Sequence, residues 1–581
     1  MTIALSPPYT DHGVIPRDKR IRVWGRACSQ AEVKVGLDGP QCRSGAVVAA
    51  DDGTFEVTLD TVGAGGPYTL TATCSGESVA IGDLWAGDIW VAGGQSNMEL
   101  TMDWIRATVP WEFRDAQRAW AEPTHTAKTT DPAEPAAPTD STGTISAELT
   151  TSSGDQGLVR QFFVPAYFDF TGPRDDFSTQ GLGDLPLPRH ALRWATTAEL
   201  GTFSAAAYFF ARRIAAETGV VQGIVATAVG GTPARAWTAP DTLVPWPDEV
   251  ERLETIAQPG YVEDTTASDL AAVAAYDKAL DAADLGLQEH WYDPGLDDSS
   301  WETHTLDDDW GEAELGEQSG AVWWRVAIDV PEDCAGPATL CFGQFVDADR
   351  VWVNGRFIGG STYRFLNREY DITLPAGRVV ITVRVLVYTG EGQVTPGMFR
   401  VLHTPRRDWD LSGLTWRARR GATTGDVPAT TTFIYEPAGL YNAMIAPLAK
   451  LSPTGVLWYQ GESDAVQANT YCARFSAVVD SWRRLWGEVP FLWVELAHWA
   501  PAPTKQDVWA ELRRAQRKCL SIPATAMVAA EGLGDSNDLH PRHKRDVGER
   551  LAWAGLEVVY GRDLGFSPYM LRGAPPNSDE Q

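Results

Sequence analysis

The chain has 581 residues, 44% of them apolar, and a formal net charge of −29 from 48 Lys+Arg against 77 Asp+Glu. That length suggests about three to five domains with ample core material, which excludes global disorder. The charge repels phosphate backbones and anionic membrane surfaces, so it points away from nucleic acid and lipid and leaves neutral ligands such as sugars open.

The 24 Trp supply flat apolar faces with a polar N–H, which suits sugar rings, although core packing is expected to take most of them. Seven cysteines are scattered with no C-x-x-C pair, so neither a disulfide scaffold nor a zinc site is indicated. A Cys28–Cys42 or Cys28–Cys74 bridge stays open.

The amino terminus, "MTIALSPPYTDHGVIP", has no basic segment and no long apolar core, so it does not read as a secretory leader. No run of 18 apolar residues follows. The expectation is a soluble, cytoplasmic protein, or an extracellular one if a leader has been removed.

Residues 14–80 alternate apolar and polar in "RIRVWGRA", "AEVKVGL", "GTFEVTL" and "YTLTATC", with Gly, Asp and Ser turns between them. This predicts a β-sandwich module over 1–84. From Asp88 the pattern changes: the apolar strand "IWVAGG", a helix from Ser204 to Gly219, then "GIVATAVGG". Strands alternating with helices predict a parallel sheet with crossover helices over 85–284. Within it, residues 122–157 are rich in Thr, Ser, Pro and Ala and read as a flexible surface insertion. Short strands return over 285–405, among them "VWWRVAIDV", "ATLCFGQF", "DRVWVNGRFIGG" and "RVVITVRVLVY", which predicts an inserted β jelly roll. The α/β pattern resumes over 406–565 with "GVLWYQGESD", a helix near Tyr471 to Trp486, and "PFLWVEL". Residues 566–581 form a tail.

In open α/β sheets, ligands sit at the carboxyl ends of the strands. Four such ends carry polar residues. "GGQSN" places Ser96 after two glycines, where a helix begins and free N–H groups can receive an oxyanion. "AVGGTPARAW" offers the N–H groups of Gly230 and Gly231. "LWYQGESD" brings Gln460, Glu462 and Asp464. "GDSNDLHPRHK" brings Asp538 and His540, a base with a carboxylate that could orient it. Each alone reads as a cap or a solvated loop. Together they supply nucleophile, oxyanion donors, base and orienter, one after each strand.

Here the motifs resemble a known family. "VAGGQSNMEL", "GGTPARAWT", "LYNAMIAPL", "GVLWYQGESD" and "DLHPRHKRDVGERLA" are similar to the sialate O-acetylesterase family, a branch of the SGNH hydrolases. "WYDPGLDDSSWET", "GAVWWRVAIDVP" and "VWVNGRFIGG" resemble the galactose-binding-like jelly roll of glycosidases. The resemblance implies a flavodoxin-like three-layer αβα catalytic domain. It implies a serine esterase that removes O-acetyl groups from sialate or plant-polysaccharide carbohydrate, with no metal or organic cofactor; from the charge and hydropathy above, no nucleic-acid or membrane partner is expected. It maps the nucleophile to Ser96, the base to His540, and the oxyanion hole to the N–H groups of Ser96 and Gly231 and the side chain of Gln460. The family places its acid three residues before the His, but Asn537 stands there. Asp538 is the expected orienter, with Asp535 or a backbone carbonyl as alternatives. Gln95, Asn97, Arg235, Glu462 and Asp535 are candidate substrate-binding or supporting residues; Arg235 stands where many relatives carry an acid. An imidazole base acts only when neutral, and its ordinary value is about 6.5, so an acid limb in the pH–rate profile is expected. An inactive sugar-binding protein and a general short-chain carboxylesterase are the alternative readings.

Overall fold

The stretch that ends in Gly93-Gly94 belongs to one 18-residue strand, Glu77–Gly94. Its first half pairs antiparallel with Gly65–Cys74 in the amino-terminal β module. Its second half pairs in parallel with Gln222–Ala226 on one side and Gly455–Tyr459 on the other. One continuous strand therefore joins the two sheets and delivers Ser96 at its end. This is a computed structural model, and it describes residues 3–572 apart from 122–156, 182–185, 500–502, 535–538 and single positions or short gaps at 312, 314, 363, 365, 367, 391, 395–397, 399, 566 and 568.

The chain divides into two compact units, Met1–Gln258 with Thr432–Gln581, and Pro259–Thr431. In the first unit the parallel strands are Val159–Phe163, Gln222–Ala226, Glu77–Gly94, Gly455–Tyr459, Phe491–Glu495 and Thr525–Ala529, in that spatial order. Trp194–Thr196 and Met570–Arg572 close the edges in antiparallel fashion. The central strands are buried at every position, as expected where both sheet faces are covered. The helix Ala205–Thr218 starts on Ser204, whose hydroxyl accepts the Ala207 N–H, and stops on Gly219 in the left-handed region. It packs against the helix Lys544–Val558, where a Cβ on Gly548 would lie 2.8 Å from the Ala206 carbonyl. Trp237, Trp458 and Trp482 meet edge to face at 5.6 to 6.4 Å. These tryptophans are core, and truncating one to Ala is expected to cost about 3–5 kcal/mol.

The same packing explains the paired glycines. A Cβ on Gly93 would lie 2.7 Å from the Trp482 ring. Gly94 has φ +123°, and a Cβ there would overlap the Tyr459 carbonyl on the neighbouring strand. Gly94→Ala is expected to lower stability by about 1–3 kcal/mol and to displace the residue two positions on. A thermal melt together with kcat on an activated acetyl ester checks both effects.

The second unit opens with the helix Tyr261–Ala283, followed by antiparallel sheets of six, four and two strands. Gly320–Val330 and Gly377–Val387 form its central pair. Val322, Leu340, Phe342, Val383 and Trp416 lie in its core. Asp284 is buried there and accepts from Arg384 Nε at 2.6 Å and Trp323 Nε1 at 2.9 Å.

No disulfide links any of the seven cysteines, so the bridges left open above, Cys28–Cys42 and Cys28–Cys74, do not form. The expected flexible insertion lies almost wholly outside the described residues. Among the described residues no helix is long and apolar enough to cross a membrane.

Candidate active site

Ser96 is the first residue of a short helix, Ser96–Glu99, which starts directly after the Gly94 turn. Helix starts leave backbone N–H groups without intrahelical partners. From the far end of the sequence, His540 reaches the same place: its Nε2 is 2.9 Å from Ser96 Oγ. A serine hydroxyl on an imidazole nitrogen, at the carboxyl edge of a parallel sheet, is the pairing needed for a nucleophile and its base. Asp535 and Asp538, the expected orienters, lie outside the described residues.

The His540 loop is pinned from both sides. Asn97 Nδ2 donates to the Leu539 carbonyl at 3.0 Å and to Glu462 Oε1 at 2.6 Å. Lys544 Nζ donates to the Pro541 carbonyl at 2.7 Å and to Asn97 Oδ1 at 2.5 Å. The residue after Ser96 thus holds the residue before His540, and Lys544 locks that pair. Burial raises the Glu462 carboxyl pKa, while the Asn97 bond and the nearby His540 and Lys544 pull it back. Glu462 Oε2 is buried with no hydrogen bond among the described residues. Asn97 and Glu462 are therefore placed as supports.

Gln460 is fully buried. Its Nε2 donates to Asp464 Oδ2 at 2.6 Å and to the Thr232 carbonyl at 3.3 Å. Both amide protons are engaged, so in this arrangement Gln460 has none left for the oxyanion role expected of it. It braces the Gly230–Gly231 loop instead. Asp464 also accepts the Ala234 N–H at 2.9 Å; burial raises its carboxyl pKa and these bonds lower it. Ser463 Oγ donates to the Gly231 carbonyl at 2.7 Å. Gln95 Oε1 lies 3.4 Å from the Gly461 and Ser463 N–H groups. Gly231 has φ +73°, and a Cβ there would overlap the Tyr435 hydroxyl. Arg235 Nε donates to the Tyr435 carbonyl at 3.0 Å, so this arginine fixes the Tyr435 segment.

Residues 425–557 match the family described as carbohydrate esterase, sialic acid-specific acetylesterase. This acetylesterase segment carries Gln460, Glu462, His540 and Lys544, while Ser96 and Gly231 lie upstream of it. Residues 288–391 match the β-galactosidase second all-β domain. The sialate O-acetylesterase of Pongo abelii is 31% identical over 186 residues, covering 28% of this chain and 35% of that protein. The Homo sapiens sialate O-acetylesterase is 30% identical with the same coverage. The chain thus spans about a third of the length of the curated relatives it matches. A solved carbohydrate acetylesterase from Xanthomonas citri aligns over 97% of this chain and 77% of that one, with a TM-score of 0.53 and 22% identity, a likeness of fold.

Sequence reasoning missed Glu99, Tyr435 and Lys544. Glu99 stands in the quoted "GGQSNMEL", but only the folded chain brings its carboxylate to Gly230 N–H, at 2.8 Å. A cavity of about 330 Å³ lined by Asp103, Arg106, Phe113, Gln117 and Thr197–Thr202 contains none of these site residues.

Proposed function

We propose that this protein is a serine esterase that removes O-acetyl groups from carbohydrate. The observation that carries the reading is the 2.9 Å approach of His540 Nε2 to Ser96 Oγ. The acetylesterase match supports the substrate class. The catalytic unit is read as an SGNH-type three-layer αβα domain, with the parallel sheet as its middle layer and residues 285–405 as an inserted jelly roll.

In this reading His540 takes the Ser96 proton and Ser96 Oγ attacks the acetyl carbonyl. The tetrahedral oxyanion is received by the N–H groups of Ser96 and Gly231. Gly230 is not assigned this role because its N–H already serves Glu99. The protonated imidazole then gives its proton to the departing sugar oxygen. Water, activated by the same His540, cleaves the acetyl-enzyme. Asp538, or Asp535, orients the imidazole. Gln460 and Asp464 keep the Gly231 loop in place.

The test is acetate release from 4-nitrophenyl acetate and from acetylated glycans, beside the butyrate and octanoate esters. Activity highest on acetyl and falling with acyl length is expected. Activity that rises with chain length would overturn the substrate class.

A further inference from the structure

Arg235 lies in the short turn Ala234–Trp237, just after the Gly230–Gly231 loop, and the mechanism above does not use it. Both ends of the residue are anchored. Its carbonyl accepts the Ala438 N–H at 3.0 Å, and its Nε donates to the Tyr435 carbonyl at 3.0 Å. The bond at Nε fixes the plane of the guanidinium. Nη1 and Nη2 make no hydrogen bond among the described residues, and the side chain is 35% exposed.

The acids around it are engaged elsewhere. Glu436 accepts from Arg252 Nη2 at 2.7 Å and stays 4.0 Å from Arg235 Nη2. Asp464 is buried and accepts from Gln460 and from the Ala234 N–H. Tyr435 bridges this arginine and the nucleophile: its carbonyl is on Arg235 Nε, and its hydroxyl stands over Gly231. Glu99 lies at the hydroxyl end, on the Gly230 N–H, and its charge reaches the phenol. The rim is therefore polarised, with an acid at the Ser96 end and an open guanidinium one tyrosine away. In a chain of net charge −29 an anion is drawn only where a cation is locally unbalanced. An anchored guanidinium with both terminal nitrogens open matches the two oxygens of a carboxylate.

We propose that Arg235 is a carboxylate-binding residue of this site: it takes the acid group of an acetylated sugar acid whose ester lies at Ser96. The location rests on the esterase reading, and the sialic acid-specific acetylesterase match agrees with a sugar that carries a carboxylate. The charge recognition can be measured without catalysis. The probes are an O-acetylated sialic acid methyl glycoside and the same compound with its carboxylate converted to the carboxamide, which keeps the shape and removes the charge. Calorimetric titration at about pH 7.5, where the sugar carboxylate is ionised, uses full-length Ser96→Ala protein with and without Arg235→Gln.

The acid is expected to bind at least about tenfold tighter than its amide. Arg235→Gln should shrink that ratio below about threefold by weakening the acid. A merely structural role, through the Tyr435 segment, would weaken both sugars alike and leave the ratio in place. Raising salt to about 1 M on Ser96→Ala protein with Arg235 intact should also shrink the ratio, since screening weakens a charge pair at a partly exposed site. This arm needs no second substitution to fold. Equal binding of the two sugars with Arg235 intact, no binding of either, or a ratio that survives Arg235→Gln or high salt would overturn the proposal. Failure of the wild type to cleave 4-nitrophenyl acetate would overturn the esterase reading, while the ratio and its response to Arg235→Gln would still decide the carboxylate site.

Discussion

Ser96→Ala should abolish hydrolysis of 4-nitrophenyl acetate, with a loss in kcat of at least about 10⁴-fold. In the proposed mechanism this hydroxyl is the atom that attacks, and it lies 2.9 Å from His540 Nε2. The substitution removes one oxygen from a half-buried position, so circular dichroism and the melting temperature should stay close to wild type. His540→Ala should give a similar loss, and the double variant should lose little more than either, because nucleophile and base act as a unit. Losses that multiply in the double variant would show that the two side chains work independently.

The second large effect is expected from Lys544→Met. Lys544 is fully buried. Methionine of similar length leaves Asn97 Oδ1 and the Pro541 carbonyl without this donor. Each buried acceptor left unsatisfied costs about 1–3 kcal/mol, so the melting temperature should fall. The Leu539–Pro541 segment should also loosen, and a base displaced by about 1 Å can cost about 10²-fold in rate. The expected signature is a kcat reduced by about that factor with a nearly unchanged KM, since Lys544 bonds to the loop behind His540. A raised KM with normal kcat, measured on the same acetyl ester, would place Lys544 against the substrate instead.

Much of this site was legible because each strand end announced itself. Gly93-Gly94 before Ser96 and Gly230-Gly231 after an apolar run marked close backbone approaches, and both are explained by specific neighbours, Trp482 and the Tyr459 carbonyl in one case and the Tyr435 hydroxyl in the other. The caps at Ser204 and Gly219 were readable because capping is local chemistry. The role of Gln460 was not. An amide after a strand looks like a donor, but which acceptor it meets depends on Asp464 four residues on and on a carbonyl more than two hundred residues away. Glu99 and Lys544 stayed invisible for the same reason: their partners, Gly230 and Asn97, are neighbours only after folding. The edge strand Arg43–Val48 was missed because its "RSGAVV" shows little apolar alternation, and none of its residues is fully buried.

The central claim is that Ser96 is acetylated during turnover because His540 takes its proton. Acid-quenching the wild-type protein within milliseconds of mixing with 4-nitrophenyl acetate, then mapping the acetyl group by peptide mass spectrometry, tests it most directly. The account predicts an acetyl ester on Ser96 that is absent from His540→Ala protein. Turnover with no acetyl on Ser96, or with acetyl on another residue that survives Ser96→Ala, would contradict it.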